Sequence, residues 1–324
     1  MSFELILPFL RPLEPLLLDD SISEIMGNPD ASWWYERDGI MRQEETISFD
    51  AGKLRTGLEV IANQLGKKLD EDNPVLHAQL PDGSRLAAVI PPVVRPAPAL
   101  TIRKFSSRHY TVEDLITRGT LTRPLAAFLA EQIAAGKTLL ISGGTGTGKT
   151  TLLRILANAI PEAQRIVVIE DTAELHIQKP NILSVECQTD TFKSSVSFDD
   201  LLKSALRWRP DRIILGEVRG IEARTLLDSF NTGHAGSLAT IHANSAEKAL
   251  HRFANLVMRN HAQTTFIDTE AEIADAVDFI VHVERQPGRR AIREVLGLKG
   301  FDREAKRFLI DPVFDANLPM LQAS

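Results

Sequence analysis

Two patterns of apolar and polar positions divide the chain. Over residues 1–105 short alternating runs dominate. Ser23-Glu24-Ile25-Met26-Gly27-Asn28 and Ser32-Trp33-Trp34-Tyr35-Glu36 predict strands, separated by the turn residues Asn28-Pro29-Asp30, and Asp38-Gly39 predicts another turn. Leu54, Leu58, Ile61, Ala62 and Leu65 recur at helical spacing, and Gly66 supplies a stop. Residues 76–80 and 85–90 flank Pro81-Asp82-Gly83 and predict a hairpin; residues 99–105 predict one more strand. The Leu-rich start, residues 3–18, predicts a packing helix with a tail broken by Pro8, Pro12 and Pro15, the rival reading being a segment that touches a membrane or a partner. These elements describe a small α+β domain over 1–105. Polar Ser106-Ser107-Arg108-His109 opens a linker over 106–112.

From 113 to 324 apolar strands alternate with amphipathic helices, which predicts a mainly parallel sheet with helices on its faces. Thr122 caps a helix that starts near Pro124 and stops at Gly136. Residues 137–142 and 165–170 read as buried strands, and 151–158 as a helix. Ser197 with Asp200 opens a helix that Pro210 ends. Residues 212–216 and 237–242 are strands, and Ser245 caps a long helix to about Met258. Residues 279–284, the turn Pro287-Gly288 and residues 291–298 predict a terminal hairpin.

Between the strand at 137–142 and the helix at 151–158 stands Gly143-Gly144-Thr145-Gly146-Thr147-Gly148-Lys149-Thr150-Thr151. It fits the phosphate-binding loop, a glycine, four residues, then Gly-Lys-Thr. Glycines let the backbone curl so that successive N–H groups aim at phosphate oxygens. Lys149 can reach the β/γ-phosphates of a nucleotide, the Thr150 hydroxyl can ligate Mg²⁺, and the helix would add its N-terminal dipole. A Gly/Thr turn that binds nothing is the rival reading, and the flanking strand and helix weigh against it. Ile214-Leu215-Gly216-Glu217 has the form of the second nucleotide-binding element, an apolar strand ending in an acid. Ile169-Glu170-Asp171-Thr172-Ala173-Glu174 is another acidic strand end. In an open parallel sheet ligands sit beyond the C-terminal strand ends, so both clusters can face one phosphate. His234 and His242 stand in Thr232-Gly233-His234-Ala235-Gly236-Ser237 and Thr240-Ile241-His242-Ala243-Asn244; their spacing does not match a zinc site, and either alone reads first as structural.

Composition narrows the classes. A chain of 324 residues suits two domains. The net charge of −6 and the lack of a basic tract argue against specific nucleic-acid binding. Cys187 is the only cysteine, which excludes an internal disulfide framework and any multi-cysteine zinc site and suits the cytoplasm. No apolar run is long enough to span a bilayer, and the start lacks a signal-peptide pattern.

In this order, the phosphate loop, Glu170-Asp171-Thr172-Ala173-Glu174, Gly216-Glu217-Val218-Arg219 and the paired-His segment resemble four hallmarks of one family. It is the hexameric secretion ATPases of type II and type IV secretion, pilus assembly and conjugation. Leu80-Pro81-Asp82-Gly83-Ser84-Arg85 and Leu100-Thr101-Ile102-Arg103-Lys104-Phe105 resemble the arginine elements of that family's N-terminal domain. Residues 206–212 resemble the approach to its Walker B strand. The resemblance implies a RecA-like α/β ATPase domain behind the α+β domain, with ATP and Mg²⁺ as ligands. It implies that Lys149 and Thr150 bind phosphate and Mg²⁺, that Glu217 is the Walker B acid and a metal ligand, and that Glu170 activates water with Glu174 nearby. His234 and His242 would sense the γ-phosphate or the subunit interface. Arg85 and Arg103 would carry charge to the phosphates, with Arg207 and Arg219 weaker candidates for interface arginines. It implies a homohexamer at the cytoplasmic face of the inner membrane, peripherally associated and working with a membrane-bound secretion or pilus platform. Missing cysteines, and Thr172 where the pilus branch usually has Pro, point toward the conjugation and type IV secretion branch. The rival classes are a RecA-like DNA translocase or helicase, which needs a basic patch, a small-molecule kinase, which needs no first hundred residues, and a non-catalytic ring subunit.

Overall fold

The structure is a computed structural model that describes residues 6–37, 39–105, 110–187, 195–259, 264–286 and 289–316. The linker residues 106–109, Asp38 of one predicted turn and the turn Pro287-Gly288 lie outside the described residues. The chain divides into two compact units, Met1–His109 and Tyr110–Ser324.

In the first unit the Leu-rich start is not one helix. A 3-10 segment, Leu7–Leu13, runs into the short helix α1, Glu14–Leu18. Pro8 and Pro15 occupy first-turn positions of the two pieces, where a missing N–H costs nothing. Six strands follow in one antiparallel sheet: β1 (Ile22–Gly27), β2 (Trp33–Arg37), β3 (Ile40–Glu44), β4 (Val75–Gln79), β5 (Arg85–Val89) and β6 (Ala99–Arg103), in the order β3-β2-β1-β6-β5-β4. The edge strand β3 was not foreseen; its residues are mostly exposed and carry no alternation of burial. Helix α2, Ala51–Gln64, is capped by Asp50, whose carboxylate accepts from the Lys53 N–H. It buries Leu54, Leu58, Ile61 and Ala62 in one core with Ile25, Leu76, Leu86, Leu100 and Ile102 of the sheet.

The second unit is built on an eight-stranded sheet. Its strands are β7 (Leu139–Gly143), β8 (Ile166–Glu170), β9 (Ile182–Glu186), β10 (Arg212–Val218), β11 (Leu238–His242), β12 (Phe279–Gln286), β13 (Arg289–Asp302) and β14 (Arg307–Asp315). The order is β14-β13-β12-β7-β11-β10-β8-β9, parallel from β12 to β9 and antiparallel at β12-β13-β14. The predicted terminal hairpin is therefore two-thirds of a three-stranded meander.

Successive side chains of a strand face opposite ways, so a fully buried strand feeds two cores. Leu139 and Ile141 lie in one core and Leu140 in the other; Ile166 and Val168 separate from Val167 and Ile169, and Ile214 from Ile213 and Leu215, in the same way. Helices α3 (Val112–Thr117), α4 (Arg123–Ala134) and α5 (Lys149–Ala157) cover one face. Helices α6 (Phe198–Ala205), α7 (Glu222–Asn231), α8 (Ala246–Met258) and α9 (Phe266–Ala276) cover the other. Ser197 and Asp200 form the capping box expected for α6. That helix ends at Ala205, before Pro210, in a turn where the Arg207 and Trp208 N–H groups bond back to Ser204 and Ala205. This is the mainly parallel α/β sandwich that the alternation predicts, with β7 and α5 around the phosphate loop in the interior of the sheet.

Candidate active site

Parallel strands bring their C-terminal ends to one edge of the sheet. Register places Gly143 beside His242 on one side and beside Val283 on the other. Glu217 is the next-to-last residue of β10 and Glu170 the last of β8, along the same edge. The loop between β7 and α5 curls tightly there. Gly146 and Gly148 have φ of +70° and +89°, where a side chain is strained. A Cβ at Gly143 would lie 2.4 Å from the Val283 carbonyl oxygen. The loop also bonds to itself: Thr147 Oγ1 donates to the Gly144 carbonyl at 3.0 Å, and Lys149 Nζ to the same oxygen at 2.8 Å. Lys149 is buried, so its ammonium is held over the loop. Thr145 is exposed and Thr150 and Thr151 half-buried in the first turn of α5.

Glu217 is the hub of the acidic cluster. Its Oε1 lies 3.1 Å from His242 Nε2, and its Oε2 accepts from Arg219 Nη2 at 2.9 Å. Arg219 reaches on to Asp171 Oδ2 at 3.1 Å, so one guanidinium ties the ends of β8 and β10. Burial, followed by the positive charge of Lys149, lowers the His242 pKa against the opposing pull of Glu217. Burial and Lys149 thus favour the neutral form of His242, and Lys149, His242 and Glu217 form one electrostatic group.

Glu170 is buried in a different way. Its Oε1 accepts from the backbone N–H of Glu174 and of Leu175, each at 3.0 Å, which folds the acidic segment back on the strand end. Burial pushes its pKa up to about 7, against the pull of those two N–H groups, with the charges of Glu174 and Glu186 adding to the rise. A carboxyl poised near neutrality can hold or release a proton under working conditions.

Not every predicted residue comes to this edge. His234 precedes β11 at its N-terminal end, where Nδ1 lies 3.1 Å from the Pro210 carbonyl oxygen, just before β10 begins. About a strand's length, roughly 13 Å, separates the two ends of β11. Arg207 is exposed in the turn before β10, at that same far end. There the loop containing His234 has a packing role. The buried Arg212 guanidinium donates to the carbonyls of Ile133 and Ala235, and a Cβ on Gly236 would lie 1.1 Å from Arg212 Nη1. In the first unit Arg85 and Arg103 are direct cross-strand partners, with Glu24 opposite Arg103 on the other side. Arg103 is exposed while Leu100 and Ile102 are buried, as the alternation requires.

Sequence reasoning missed two groups at the loop. His282 of β12 is buried, with Nδ1 2.9 Å from Ser142 Oγ beneath the loop. Arg290 of β13 donates from Nε to the Gly146 carbonyl at 2.9 Å. Neither contact has a local signal, because the partners are 140 and 144 residues apart.

The residues suit nucleoside triphosphate and Mg²⁺. The Thr150 hydroxyl, in the first turn of α5, and the Glu217 carboxylate, near the end of β10, are both hard oxygen donors. No cluster of three His, Cys, Asp or Glu side chains among the described residues could hold a metal by itself. Magnesium completed by phosphates and water needs none. No helix among the described residues is long and apolar enough to cross a membrane.

Comparison with known proteins gives the family. A family model described as type II/IV secretion system protein matches residues 10–298. The conjugal transfer protein TrbB of Rhizobium radiobacter is 38% identical over 290 residues, covering 88% of this chain and 86% of its own. The type IV secretion system protein PtlH of Bordetella pertussis is 34% identical over 322 residues, covering 89% and 93%. Among solved structures, the VirB11 ATPase of the Brucella suis type IV secretion system, in complex with sulphate, is 29% identical at a TM-score of 0.50, covering 90% of this chain and 94% of its own. The pilus retraction motor PilT with bound ADP shares the fold at 20% identity and a TM-score of 0.62, covering 93% and 85%.

Proposed function

Because the chain belongs to the type II/IV secretion system protein family and is one of its ATPases, we propose that it works as a ring of six copies at the cytoplasmic face of the inner membrane. There it powers type IV secretion, conjugative transfer or pilus assembly, with a membrane-bound platform as partner. The observation that carries this reading is the convergence of Lys149, His242 and Glu217 on the edge of the sheet that holds the phosphate loop.

The reaction is in-line attack of water on the γ-phosphorus. The bond from that phosphorus to the β,γ-bridging oxygen breaks, the water loses a proton to a carboxylate, and ADP and phosphate leave. Backbone N–H groups of residues 143–151 hold the phosphates, and Lys149 offsets the charge that builds on the transferring group. Thr150 and Glu217 would hold Mg²⁺, which would offset phosphate charge when bound. Glu217, aligned by His242 and Arg219, orients the attacking water. Glu170 takes the proton, which its position near neutral pKa favours. Glu174 holds Glu170 through its own N–H. His242, in contact with Glu217, senses the γ-phosphate. His234, at the far end of the sheet, serves the subunit interface rather than the phosphate. Arg85 and Arg103, paired across two strands, bring positive charge to the γ-phosphate from the first unit.

Light scattering combined with an activity titration tests the ring. A sixfold mass with specific activity that rises with protein concentration is expected. A monomer of constant specific activity would remove the motor reading.

A further inference from the structure

The meander at the end of the second unit touches the phosphate loop, and neither the family reading nor the proposed mechanism gives it a task. Strands β12 and β13 pair Arg285 with Arg290 and Gln286 with Arg289. β12 lies directly beside β7, with Val283 opposite Gly143, so the arginine-bearing end of the hairpin overhangs the loop. The Arg290 side chain crosses the loop at Gly148: its Cδ would lie 3.3 Å from a Cβ there. It then donates from Nε to the Gly146 carbonyl oxygen. Arg285 arrives from the neighbouring strand, its Nη1 3.5 Å from the position of a Cβ on Gly146. A Cβ at Gly148 would crowd Arg290, whereas Arg285 approaches Gly146 at ordinary contact distance.

We propose that Arg290, supported by Arg285, is a positioning residue for the nucleotide phosphates, acting through the Gly146 carbonyl. A phosphate loop works only if its N–H groups point inward, which turns carbonyls outward. An outward carbonyl bonded to a guanidinium is held in that orientation, and the bond is charge-assisted. The two arginines also place positive charge behind the amides that meet the phosphates. The same contact joins the loop to β13, and Glu294 of β13 accepts from the Ala246 N–H that opens α8, directly after the segment carrying His242. The meander is therefore bonded to both sides of the site.

This inference rests on the ATPase reading, and the experiment separates the two. ATP and ADP affinities and steady-state hydrolysis are measured on the full chain for wild type, Arg290→Ala, Arg290→Lys, Arg289→Ala and Lys149→Ala. Arg289 bonds to Gln286 and serves as the neighbouring control. Losing one charge-assisted bond to the loop is expected to weaken ATP and ADP alike by about tenfold. Hydrolysis at saturating ATP should stay within about twofold, which a diffuse loss of structure would not spare. Arg290→Lys should regain part of the affinity, and Arg289→Ala should match wild type. Unchanged affinities in Arg290→Ala, beside a wild type that binds and a Lys149→Ala that does not, would overturn the positioning role and leave the ATPase reading standing. A loss confined to ATP, or to turnover at saturation, would overturn it too, because that pattern marks direct contact with the γ-phosphate. A wild type that binds neither nucleotide would sink the ATPase reading itself.

Discussion

His242 Nε2 lies 3.1 Å from Glu217 Oε1, and the same carboxylate accepts from Arg219 through its other oxygen. One acid is therefore held between a neutral imidazole and a permanent cation, with both its oxygens oriented. That arrangement distinguishes Glu217 from an ordinary acid at a strand end. His242→Ala should leave nucleotide binding within about threefold, since the loop and Lys149 are untouched. It should lower turnover by roughly 10²-fold, the usual scale for losing a positioned polar group at a phosphoryl centre. Binding and single-turnover rates on the same preparation check both halves.

The pairing of Arg85 with Arg103 predicts an unusual combination of effects. Like charges directly opposite on neighbouring strands are destabilising by roughly 0.2–1 kcal/mol, and Glu24 offsets part of that. Arg103→Ala should therefore keep or slightly raise the melting temperature. It should nevertheless lower kcat, by less than the about 10³-fold of a full arginine finger, because Arg85 remains. Removing both should lower kcat further. Calorimetry and steady-state kinetics decide it; unchanged kcat in the double variant would make both arginines ordinary strand residues.

Gly236 is predicted to be intolerant for reasons of packing. Its φ is +79°, and a Cβ there would overlap the buried Arg212 guanidinium. Gly236→Ala must displace an arginine that bonds to Gln164, Ala235 and Ile133. A loss of roughly 3 kcal/mol or more is expected in denaturant unfolding. Gly233→Ala has open space around its Cβ, so only its φ of +103° opposes it, and the loss should be smaller.

Glu170 gives a pH signature. Burial raises its folded pKa to about 7, from the ordinary carboxyl value of 4.5. The native state thus keeps a proton that the unfolded chain has already lost. The stabilising contribution of Glu170 is complete below about pH 4.5 and is lost as pH rises to about 7. Glu170→Gln should flatten that part of the stability profile, by on the order of 2–3 kcal/mol at the high end, since an amide oxygen can still accept from Glu174 and Leu175. A mutant profile parallel to wild type across that window would contradict the assignment.

Local signals made much of the second unit legible. The loop with its glycines, the capping boxes and caps at Thr122, Ser197 and Ser245, and the buried strands at 139–143, 166–170 and 238–242 depend on neighbours a few residues away. Helix α7 was missed although Ala223, Leu226, Leu227 and Phe230 repeat at helical spacing. Its N-cap is Ile221, and the free N–H groups of Arg219 and Gly220 are satisfied instead by the Glu222 side chain, so the usual start residue is missing. Strand β9 follows a long irregular stretch and, among the described residues, pairs only with β8. Strand β14 is largely exposed and carries Pro312, which argues locally against a strand. The positions of Lys149 and Thr150 at a helix start, and of Glu170, Glu217 and His242 at strand ends, could be read from local motifs. Arg290 and His282 could not, because only the sheet order brings β12 and β13 to the loop.

The most direct test of the central claim compares nucleotide binding and phosphate release in wild type, Lys149→Ala and Glu217→Gln. Lys149 offsets phosphate charge in both the bound and the reacting states, whereas Glu217 acts on the water. Lys149→Ala should therefore lose hydrolysis and most ATP affinity, and Glu217→Gln should keep ATP bound while turnover falls by at least about 10²-fold. Near wild-type hydrolysis in Lys149→Ala would show that the chemistry takes place elsewhere and would contradict the account.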